Sequence, residues 1–476
     1  MEIKILLINP PSKYQKQYQI IPLGLINLGT ILKTHGFDVN LIDINAEMPY
    51  GDSFISKSLS PQNFLKKFKK IDPDIVGLTS FTENYPIAIK IAKMCKKEKE
   101  HIKIIYGGTH VTYQAVECLN TTPFVDLIAI GETEHVIVDI IKGVAGKLEL
   151  DKIGNIAFKK NGFIKFSQIY TLPDLSLIPP PDLDLIKGKY YPSLTLQVEF
   201  SRGCPFHCVF CCQFPFTDRR TRYFPAQRVV DTLEDYEIYF KNFSFFINDP
   251  TFLLNHRKVK LFLDEAKSRN VKMRDWHFET RANTIKKNIL KDLKDSGANT
   301  INLGIEDIHD SVLAAINKQL KFNQIEKAYK IIKSLGFKVR SNFIIGLPSQ
   351  TKEHVLENIE YSKKLDLFNF PCITPFPGTP IFSTPEKFGL TLLSKDWESY
   401  NMKELLMDSI VFPIKQQKEI RDLTWRYCAQ FYLEKDFLFH FERKEFQRLL
   451  ELGFESWYEE WKKMHTTSWN KIDSLI

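Results

Sequence analysis

In the first 150 residues, short runs of consecutive apolar residues alternate with longer segments whose apolar positions recur every three or four residues. The runs predict buried β-strands, and the longer segments, such as 23–35 and 86–97, predict amphipathic helices. This alternation predicts a doubly wound α/β domain, in which helices cover both faces of a parallel sheet. The predicted strands are residues 3–9, 38–43, 75–80, 102–107 and 127–131.

Small and polar residues follow four of these strands. Ligands of doubly wound sheets bind outside the carboxyl ends of the strands, so these turns are the candidate binding site of the first domain. The turns are Asn9-Pro10-Pro11, Thr79-Ser80, Gly107-Gly108-Thr109-His110 and Gly131-Glu132.

The pattern changes over residues 151–193. Two short runs, 155–159 and 163–167, flank Asn161-Gly162, and this arrangement predicts a β-hairpin. The proline-rich sequence at 177–181 then predicts a linker, because proline cannot donate to regular hydrogen-bond ladders.

From residue 194 the alternation of strands and helices resumes with longer units. Six β/α units fall short of the eight of a closed barrel, so residues 194–384 predict a partial, open (β/α)6 barrel. The predicted strands are residues 194–201, 243–249, 275–281, 300–307, 339–346 and 366–375, and the predicted helices are 226–240, 256–268, 285–296, 311–316, 324–334 and 352–364.

The last segment, residues 385–476, reads as helical and holds five of the six tryptophans. These aromatic residues predict a packing face against the barrel, and a lid over a substrate pocket is the alternative. The tryptophans are Trp397, Trp425, Trp457, Trp461 and Trp469. The predicted domains are therefore 1–150, 194–384 and 385–476, with 151–193 as the connection.

Composition narrows the functional classes. The net charge is only +8 over 476 residues, and the segment from 385 onward carries 14 basic and 16 acidic side chains, so no nucleic-acid partner is expected. No apolar stretch approaches the ~18 residues of a membrane span. The N-terminus reads as a strand rather than a signal peptide, because its apolar run breaks at Asn9-Pro10-Pro11. A cytoplasmic protein is expected.

The eight cysteines are unevenly placed. Cys204, Cys208 and Cys211 have the spacing C-x3-C-x2-C directly after a predicted barrel strand, and Cys212 follows outside this pattern. Iron–sulfur clusters are held by thiolates and normally take four, so three would leave one iron open to another ligand. Structural zinc wants four Cys or His ligands. His207 and Cys212 are poorly placed to supply a fourth, since each adjoins a cysteine already used.

This motif, with Phe210 before its third cysteine, resembles the signature of the radical S-adenosylmethionine (SAM) superfamily. The resemblance implies a [4Fe-4S] cluster on Cys204, Cys208 and Cys211, whose open iron chelates SAM. It also implies reductive cleavage of SAM to methionine and a 5′-deoxyadenosyl radical, with the electron supplied by an external donor such as flavodoxin or ferredoxin. By the same resemblance, the SAM-binding residues are Phe210, Asn248, Glu279, Arg281, Glu306, Ser341 and Gly346.

The first 150 residues resemble the cobalamin-binding domain that precedes the barrel in one large radical SAM subfamily, the class B methyltransferase-like enzymes. The segments that carry the resemblance are Asn9-Pro10-Pro11, Ile21-Pro22-Leu23-Gly24-Leu25, 74–80, 107–110 and 130–134. The resemblance implies a cobalamin site formed by Pro10, Tyr14, Leu23, Gly24, Thr79, Ser80, Thr82, Gly107, Gly108, Thr109, His110, Gly131 and Glu132.

The D-x-H-x-x-G motif, by which other cobalamin enzymes ligate cobalt, is absent. The loop of residues 12–21, with Tyr14 and Tyr18, is the candidate for the lower face of the corrin. His110 is more in keeping with a turn or a contact to the nucleotide tail than with an axial ligand. A sheet that has lost cobalamin is an alternative, whereas a dinucleotide fold is disfavoured because no G-x-G-x-x-G follows the first strand.

The resemblance implies a cobalamin-dependent radical SAM methyltransferase that methylates an unactivated carbon through the deoxyadenosyl radical and methylcobalamin. A radical cyclase, ring-contraction or rearrangement enzyme of the same architecture is the alternative. A non-catalytic corrinoid or iron–sulfur protein has no support in the sequence, and a methylthiotransferase acting on RNA would carry a basic C-terminal module. The substrate, whether small molecule, lipid or peptide, is not indicated by any residue pattern.

Overall fold

The computed structural model describes residues 3–12, 20–46, 48–50, 53–57, 59–189, 191, 195–213, 219–240, 243–435, 440–465, 469 and 472. The chain divides into two compact units. The first comprises residues 1–197, 222–243 and 465–476, and the second comprises residues 198–221 and 244–464. The domain limits expected at 150, 193 and 384 stay predictions.

A seven-stranded sheet forms the centre of the first unit, in the order β2-β1-β5-β6-β7-β8-β9. Five neighbouring strands of this sheet, β2, β1, β5, β6 and β7, pair in parallel, which confirms the α/β prediction. The strands of this unit are β1 (Lys4–Asn9), β2 (Asp38–Asp43), β3 (Met48–Tyr50), β4 (Ser53–Lys57), β5 (Ile75–Thr79), β6 (Lys103–Gly107), β7 (Leu127–Ala129), β8 (Ile156–Lys160) and β9 (Phe163–Phe166).

The predicted hairpin forms, but it extends the parallel sheet instead of standing outside it. β8 pairs antiparallel with β7, and β9 pairs with β8. The reason is burial: Ile156, Ala157 and Phe158 are buried, whereas β9 at the edge of the sheet is largely exposed. β3 and β4 form a separate antiparallel pair that the apolar pattern did not predict.

Helices pack against this sheet through apolar faces. In α3, for example, the apolar residues Ile87, Ala88 and Ile91 are buried, and their spacing places them on one face of the helix. Trp469 belongs to the same unit, where its indole nitrogen donates to the Leu59 carbonyl at 2.6 Å. The helices are α1 (Leu23–Thr34), α2 (Pro61–Ile71), α3 (Tyr85–Glu98), α4 (Thr109–Tyr113), α5 (Ala115–Thr121), α6 (Ile137–Val144) and α7 (Ala226–Tyr239).

A six-stranded sheet forms the predicted partial barrel, in the order β10-β13-β14-β15-β16-β17. Strands β13 to β17 pair in parallel, each with the next along the chain, as expected of successive β/α units. The strands of this sheet are β10 (Thr195–Val198), β13 (Ser244–Ile247), β14 (Trp276–Thr280), β15 (Ala298–Leu303), β16 (Lys338–Asn342) and β17 (Leu367–Asn369). Two short strands, β11 (Ser201–Arg202) and β12 (Arg222–Tyr223), lie outside it.

The helices that follow these strands are α8 (His256–Ser268), α9 (Lys287–Asp295), α10 (Asp310–Ala315), α11 (Phe322–Ser334), α12 (Lys352–Ser362) and α13 (Pro380–Ser383). The C-terminal segment is mainly helical as predicted, with α14 (Ile414–Glu434), α15 (His440–Leu452) and α16 (Phe454–His465). It also contains a short antiparallel pair that the pattern did not predict, β18 (Leu390–Leu392) with β19 (Met407–Ser409). Among the described helices, none combines the length and hydropathy that a membrane span requires.

Aromatic residues of the tail form a packing face. The rings of Tyr427, Phe431 and Tyr432 on α14 contact Phe368 on β17, and Trp457 and Trp461 on α16 are buried. The two contacts of Trp425 with Phe454 and Trp457 lie between tail helices. These contacts support the packing interpretation of the tryptophan-rich tail.

Trp276 on β14 is central to the packing of the second unit. Its side chain is fully buried, stacks on Phe245 with 5.2 Å between ring centroids, and contacts Phe252 and Phe278. The change Trp276→Ala is expected to lower the free energy of unfolding by about 3–5 kcal/mol, because it leaves a large cavity. The control Leu261→Ala, on the exposed face of α8, should cost less than about 0.5 kcal/mol in the same denaturant titration. Equal losses in both variants would contradict this description of the core.

Candidate functional site

The cysteine loop begins at a fixed point. The buried carboxylate of Asp249, just beyond β13, accepts hydrogen bonds from the backbone N–H groups of Phe200 and Ser201 at 3.0 and 2.9 Å, and from the Ser201 hydroxyl. Burial raises the pKa of Asp249 to about 7. The loop thus supplies the hydrogen bonds that a buried carboxylate requires. Because these bonds fix the backbone of Phe200 and Ser201, the loop leaves the end of the first barrel strand in a defined direction.

Further contacts hold the middle of the loop. The Cys211 N–H donates to the Cys208 carbonyl at 3.1 Å and closes a turn, and the Val209 N–H donates to the Ile316 carbonyl at 3.1 Å. The Asn317 side chain donates to the carbonyl of His207 at 3.1 Å. Cys208 is buried, and Cys204 and Cys211 are half-buried. The three thiols therefore lie on one loop that is anchored at several points.

Arg281, which follows β14, lies against this loop. Its Nη1 is 3.6 Å from the Cys208 sulfur, and its guanidinium carbon is 3.7 Å from the centre of the Phe206 ring. Its Nη2 donates to the carbonyl of Lys318. The guanidinium of Arg281 thus places a positive charge beside the cysteine loop.

A cavity of about 510 Å³ opens among the barrel strands. Its lining residues are Phe210, Phe246, His277, Glu279, Asn302, Leu303, Gly304, Glu306, Arg340, Ser341, Asn342, Ile344, Pro371, Cys372, Ile373, Thr374, Phe376 and Met402. Four of the seven residues predicted to bind SAM are thereby brought together: Phe210, Glu279, Glu306 and Ser341.

The other three predicted SAM residues do not line the cavity. Arg281 contacts the cysteine loop, and the exposed Asn248 uses its backbone N–H to bind the Val198 carbonyl at 2.9 Å. The N–H of Gly346 is occupied by the Gln350 side chain at 2.7 Å. Of the tail tryptophans, none lines this cavity.

Glu306 lies just beyond β15 with a φ of +65°, a conformation that few non-glycine residues adopt. Its carboxylate accepts a hydrogen bond at 2.8 Å from Lys318, whose side chain is 5% exposed. A Cβ at Gly304 would lie 3.0 Å from the Lys318 ammonium, so glycine keeps room for this ion pair. The sequence reasoning missed Lys318, and nothing in the local pattern distinguishes it from a surface lysine.

Glu279 is exposed to the cavity yet surrounded by protein. Desolvation, with repulsion from Glu306 second, raises the pKa of Glu279 to about 7, while Lys318 and Arg340 oppose the shift. This carboxyl group therefore exchanges a proton close to neutral pH, and its charge depends on what binds beside it.

A buried polar network lies behind the turn that follows β16. The Asp307 carboxylate accepts hydrogen bonds from Gln350 and Asn358, both at 2.8 Å, and from His309. Gln350 in turn accepts the N–H of Gly346 and donates to the carbonyl of Ile344 at 2.9 Å. The network fixes the backbone of this turn, and the sequence reasoning identified only Gly346 in it.

In the first unit, several predicted cobalamin-site residues meet at the carboxyl edge of the sheet. The hydroxyl of Tyr106 donates to Ser80 at 2.9 Å, and the His110 ring nitrogen is 3.2 Å from the Thr82 hydroxyl. His110 is 1% exposed, its ring contacts that of Tyr85 with 4.2 Å between centroids, and burial lowers the pKa of His110 to about 4. This placement is that of a buried neutral imidazole within the turn.

The remaining residues of this predicted site also have defined surroundings. Gly108 has a φ of +103°, and a Cβ there would lie 2.7 Å from the Ser80 carbonyl oxygen, so the turn after β6 requires glycine. Glu132 pairs with Arg222, and the Pro10 carbonyl accepts from Asn45 at 3.0 Å. Leu23 is buried, Gly24 is exposed, and Thr79, Gly107, Thr109 and Gly131 are half-exposed. Tyr14 and Tyr18 lie outside the described residues.

Phe81, which the sequence reasoning missed, follows Thr79-Ser80 at the same edge and is 72% exposed. Its N–H is held by the side chain of Asn84 at 2.9 Å. An ordered turn that presents an exposed aromatic ring next to glycine-rich turns fits an apolar planar ligand such as a corrin.

The cysteine loop offers three cysteine sulfurs, which are the usual ligands of iron–sulfur clusters. Within the described part of the chain, no three His, Cys, Asp or Glu side chains converge on one metal ion. Burial raises the pKa of the Cys211 thiol to about 12, so metal binding would displace the proton of this thiol.

The raised pKa of Glu279 predicts a pH-dependent stability. Because the folded chain holds this proton up to about pH 7 and the unfolded chain releases it near pH 4.5, folding loses stability as the pH rises between those values. Glu279→Gln is therefore expected to be about 1 kcal/mol more stable than the wild type at pH 8, after allowance for solvent screening from the cavity, and nearly equal to it at pH 4.

The measurement is chemical denaturation of the cluster-free protein at both pH values. The control Glu386→Gln removes an exposed carboxyl group. Its effect on the free energy of unfolding should be the same at pH 8 as at pH 4. If Glu279→Gln raised the free energy of unfolding by the same amount at both pH values, the result would contradict the raised pKa of Glu279.

Two family models match the chain. The Radical SAM superfamily model matches residues 198–361, and the B12 binding domain model matches residues 16–141. The first range holds the cysteine loop and most of the barrel strands, and the second holds most of the parallel sheet of the first unit.

Among curated relatives, "Uncharacterized methyltransferase PH0819" of Pyrococcus horikoshii is 30% identical over 90% of this chain and 93% of its own length. "Anaerobic magnesium-protoporphyrin IX monomethyl ester cyclase" of Cereibacter sphaeroides is 28% identical over 80% of this chain and 63% of its own length. A solved structure of the cobalamin-dependent SAM radical enzyme OxsB, with aqua-cobalamin and SAM bound, has a TM-score of 0.72, at 16% identity. The match covers 100% of this chain and 78% of that one.

These matches confirm the fold and the family that the cysteine spacing and the strand-end turns indicated. They also support the cofactors expected from it: a [4Fe-4S] cluster, SAM and cobalamin. The chain belongs to the radical SAM superfamily, in the group whose members carry a B12-binding domain before the barrel.

Proposed function

We propose that the chain methylates an unactivated carbon, using its barrel to generate a radical and its B12-binding domain to carry the methyl group. The observation that carries the proposal is the anchored three-thiol loop, which presents Phe210 to a cavity lined by Glu279, Glu306 and Ser341. A barrel cavity of this kind positions a substrate while it excludes solvent from reactive species.

Cys204, Cys208 and Cys211 are the proposed ligands of the cluster. When bound, the cluster supplies the electron that cleaves SAM, and cobalamin supplies a methyl carrier. Arg281, fixed 3.6 Å from the Cys208 sulfur, stabilises negative charge on the thiolates. The electron comes from an external donor, for which a flavodoxin or a ferredoxin is proposed.

SAM is proposed to lie along the carboxyl ends of the barrel strands. Glu279 accepts its ammonium group, since a cationic partner would return this carboxyl group to its ionised form. Glu306, oriented by Lys318 at 2.8 Å, accepts hydrogen bonds from the ribose hydroxyls. Ser341 helps to shape this wall, with its own hydroxyl donated to the Leu303 carbonyl at 2.7 Å. The Asp307–Gln350 network keeps the turn at Gly346 in place.

Cobalamin is proposed to bind at the carboxyl edge of the first sheet. Ser80, Thr82 and the turns at Gly107-Gly108-Thr109 and Gly131-Glu132 contact it, and Phe81 packs on its apolar surface. The buried His110 contributes to the shape of the turn rather than to cobalt ligation, in keeping with the absence of the D-x-H-x-x-G motif.

Methyl transfer is favoured by the Pyrococcus horikoshii relative, which matches over 90% of this chain and is named a methyltransferase. The second candidate is radical cyclisation, which the relative named as a cyclase supports. The two reactions share SAM cleavage, but only methyl transfer moves the SAM methyl group onto the corrinoid.

The distinguishing experiment uses SAM labelled in its methyl group. Anaerobic protein reconstituted with cluster and cobalamin is reduced and given labelled SAM without substrate. The proposal predicts label in the corrinoid fraction together with 5′-deoxyadenosine. Formation of deoxyadenosine without labelled corrinoid would favour the cyclase. The absence of both products would contradict a radical SAM function.

Substitution of the cysteines tests the cluster. Cys204→Ala, Cys208→Ala and Cys211→Ala should each reduce cluster iron and deoxyadenosine formation by at least about tenfold, because a lost ligand cannot be replaced from the same loop. Cys212→Ala, next to the motif, is the matched control and should keep both. Iron analysis and product chromatography measure the outcome, and loss of the cluster in Cys212→Ala alone would reassign the ligand set.

A further inference from the structure

Five polar side chains of the barrel cavity have no hydrogen-bond partner among the described residues: His277, Glu279, Asn302, Arg340 and Asn342. Other polar groups of the same cavity do have partners: the Glu306 carboxylate accepts a hydrogen bond from Lys318, and the Ser341 hydroxyl donates to the Leu303 carbonyl. The side-chain oxygen of Asn302 is inaccessible to solvent and unpaired. Buried polar groups are normally satisfied, so an uncommitted set that faces one cavity indicates a ligand.

The strand registers bring these residues together. Glu279 is aligned with Asn302, and Asn302 with Arg340, on three neighbouring parallel strands. Asn342 follows Arg340 by two residues and therefore lies on the same face of β16. His277 precedes Glu279 by two residues on β14 and stacks on Phe246 at 4.8 Å. All of these residues line the same cavity.

Charge makes Arg340 the centre of this set. It faces the cavity, and no carboxylate of the described residues lies within ion-pair distance of it, whereas Lys318 is neutralised by Glu306. Glu279 is the other charged group of the cavity without an ion-pair partner in the described part of the chain, and burial, followed by repulsion from Glu306, raises the pKa of Glu279. A guanidinium that lines a cavity, with two side-chain amides on the same sheet and no described carboxylate within ion-pair distance, is suited to bind a carboxylate or phosphate through paired hydrogen bonds.

Arg340 lies inside a strand, unlike the residues that hold the cysteine loop. The residues that hold the cysteine loop, Arg281 and 316–317, lie beyond the ends of their elements, whereas Arg340 is the third residue of the five in β16. The cavity wall also includes the apolar residues Ile373, Phe376 and Met402. A ligand that fills this space would therefore join an anionic group to an apolar body.

We propose that Arg340, with His277, Asn302 and Asn342, binds the carboxylate or phosphate group of the substrate, so that the substrate is an anion with an apolar body. This assignment rests on the proposed function, because it takes SAM to occupy the strand ends. Arg340 is then a residue that determines substrate specificity and orients the reacting carbon.

The test uses benzoate as the anionic probe and benzamide as its neutral counterpart, each titrated calorimetrically into the full-length, cluster-loaded protein with SAM present. The wild type should bind benzoate at least about tenfold more tightly than benzamide, as expected for a charge-assisted hydrogen-bonded pair. Arg340→Gln should abolish this preference, and Arg340→Lys should retain part of it. Lys338→Gln removes a charge from the same strand outside the cavity and should behave as the wild type.

Two results would overturn the proposal: a wild type without preference for benzoate, or an Arg340→Gln variant that keeps the preference. The SAM carboxylate is the competing ligand for Arg340. If SAM displaces benzoate, and Arg340→Gln raises the SAM concentration needed for deoxyadenosine formation, Arg340 serves SAM, and the substrate assignment is wrong. If the wild type forms no deoxyadenosine, the proposed radical function fails, while the titration still decides whether Arg340 binds an anion.

Discussion

The hydrogen bonds from Phe200 and Ser201 to the buried carboxylate of Asp249 are the constraint on which the site depends. A loop with three cysteines is useful only if it leaves the barrel in one direction, and loops have few internal contacts to enforce this. Asp249 fixes the loop where it leaves the first strand, Asn317 and the Ile316 carbonyl fix its middle, and Arg281 lies against the Cys208 sulfur. The barrel strands thus fix both the thiol loop and the cavity beside it.

Two carboxylates, of Glu279 and Glu306, line the cavity with the guanidinium of Arg340, and Lys318 binds Glu306 from outside the lining. Glu306 and Lys318 neutralise each other across 2.8 Å, whereas Glu279 and Arg340 remain available. SAM carries an ammonium and a sulfonium group, and a substrate anion would add the opposite charge. The uncommitted pair therefore matches the charges of the two proposed ligands, and binding of both would leave little uncompensated charge in the cavity.

Local pattern was sufficient to predict most of the fold. Consecutive apolar residues in β1, β5 and β6, separated by helical periodicity, identify parallel strands because such strands are buried on both faces. The cysteine spacing identified the proposed ligands, since a single loop supplies all three. Phe210, Glu279, Glu306 and Ser341 were predicted from the resemblance to the radical SAM superfamily, and these four residues do line one cavity.

Tertiary contacts decided the rest. The hairpin of β8 and β9 joins the first sheet because β7 offers an edge, which no local signal reveals. Lys318 and Gln350 are distant in sequence from the groups they orient, Glu306 and Asp307, and a surface lysine or glutamine would have the same local pattern. Arg340 was missed for a related reason. The sequence does not show that a charged residue in a barrel strand faces a cavity, because this depends on its neighbours across the sheet.

The central claim is that the three-thiol loop holds a [4Fe-4S] cluster whose open iron binds SAM. Electron–nuclear double resonance of the reduced protein, with SAM labelled with nitrogen-15 in the amino group, measures this contact directly. The account predicts a nitrogen coupling to the cluster spin that appears when labelled SAM is added and is absent in Cys208→Ala. A reduced cluster whose spectrum does not change when SAM is added would contradict the account.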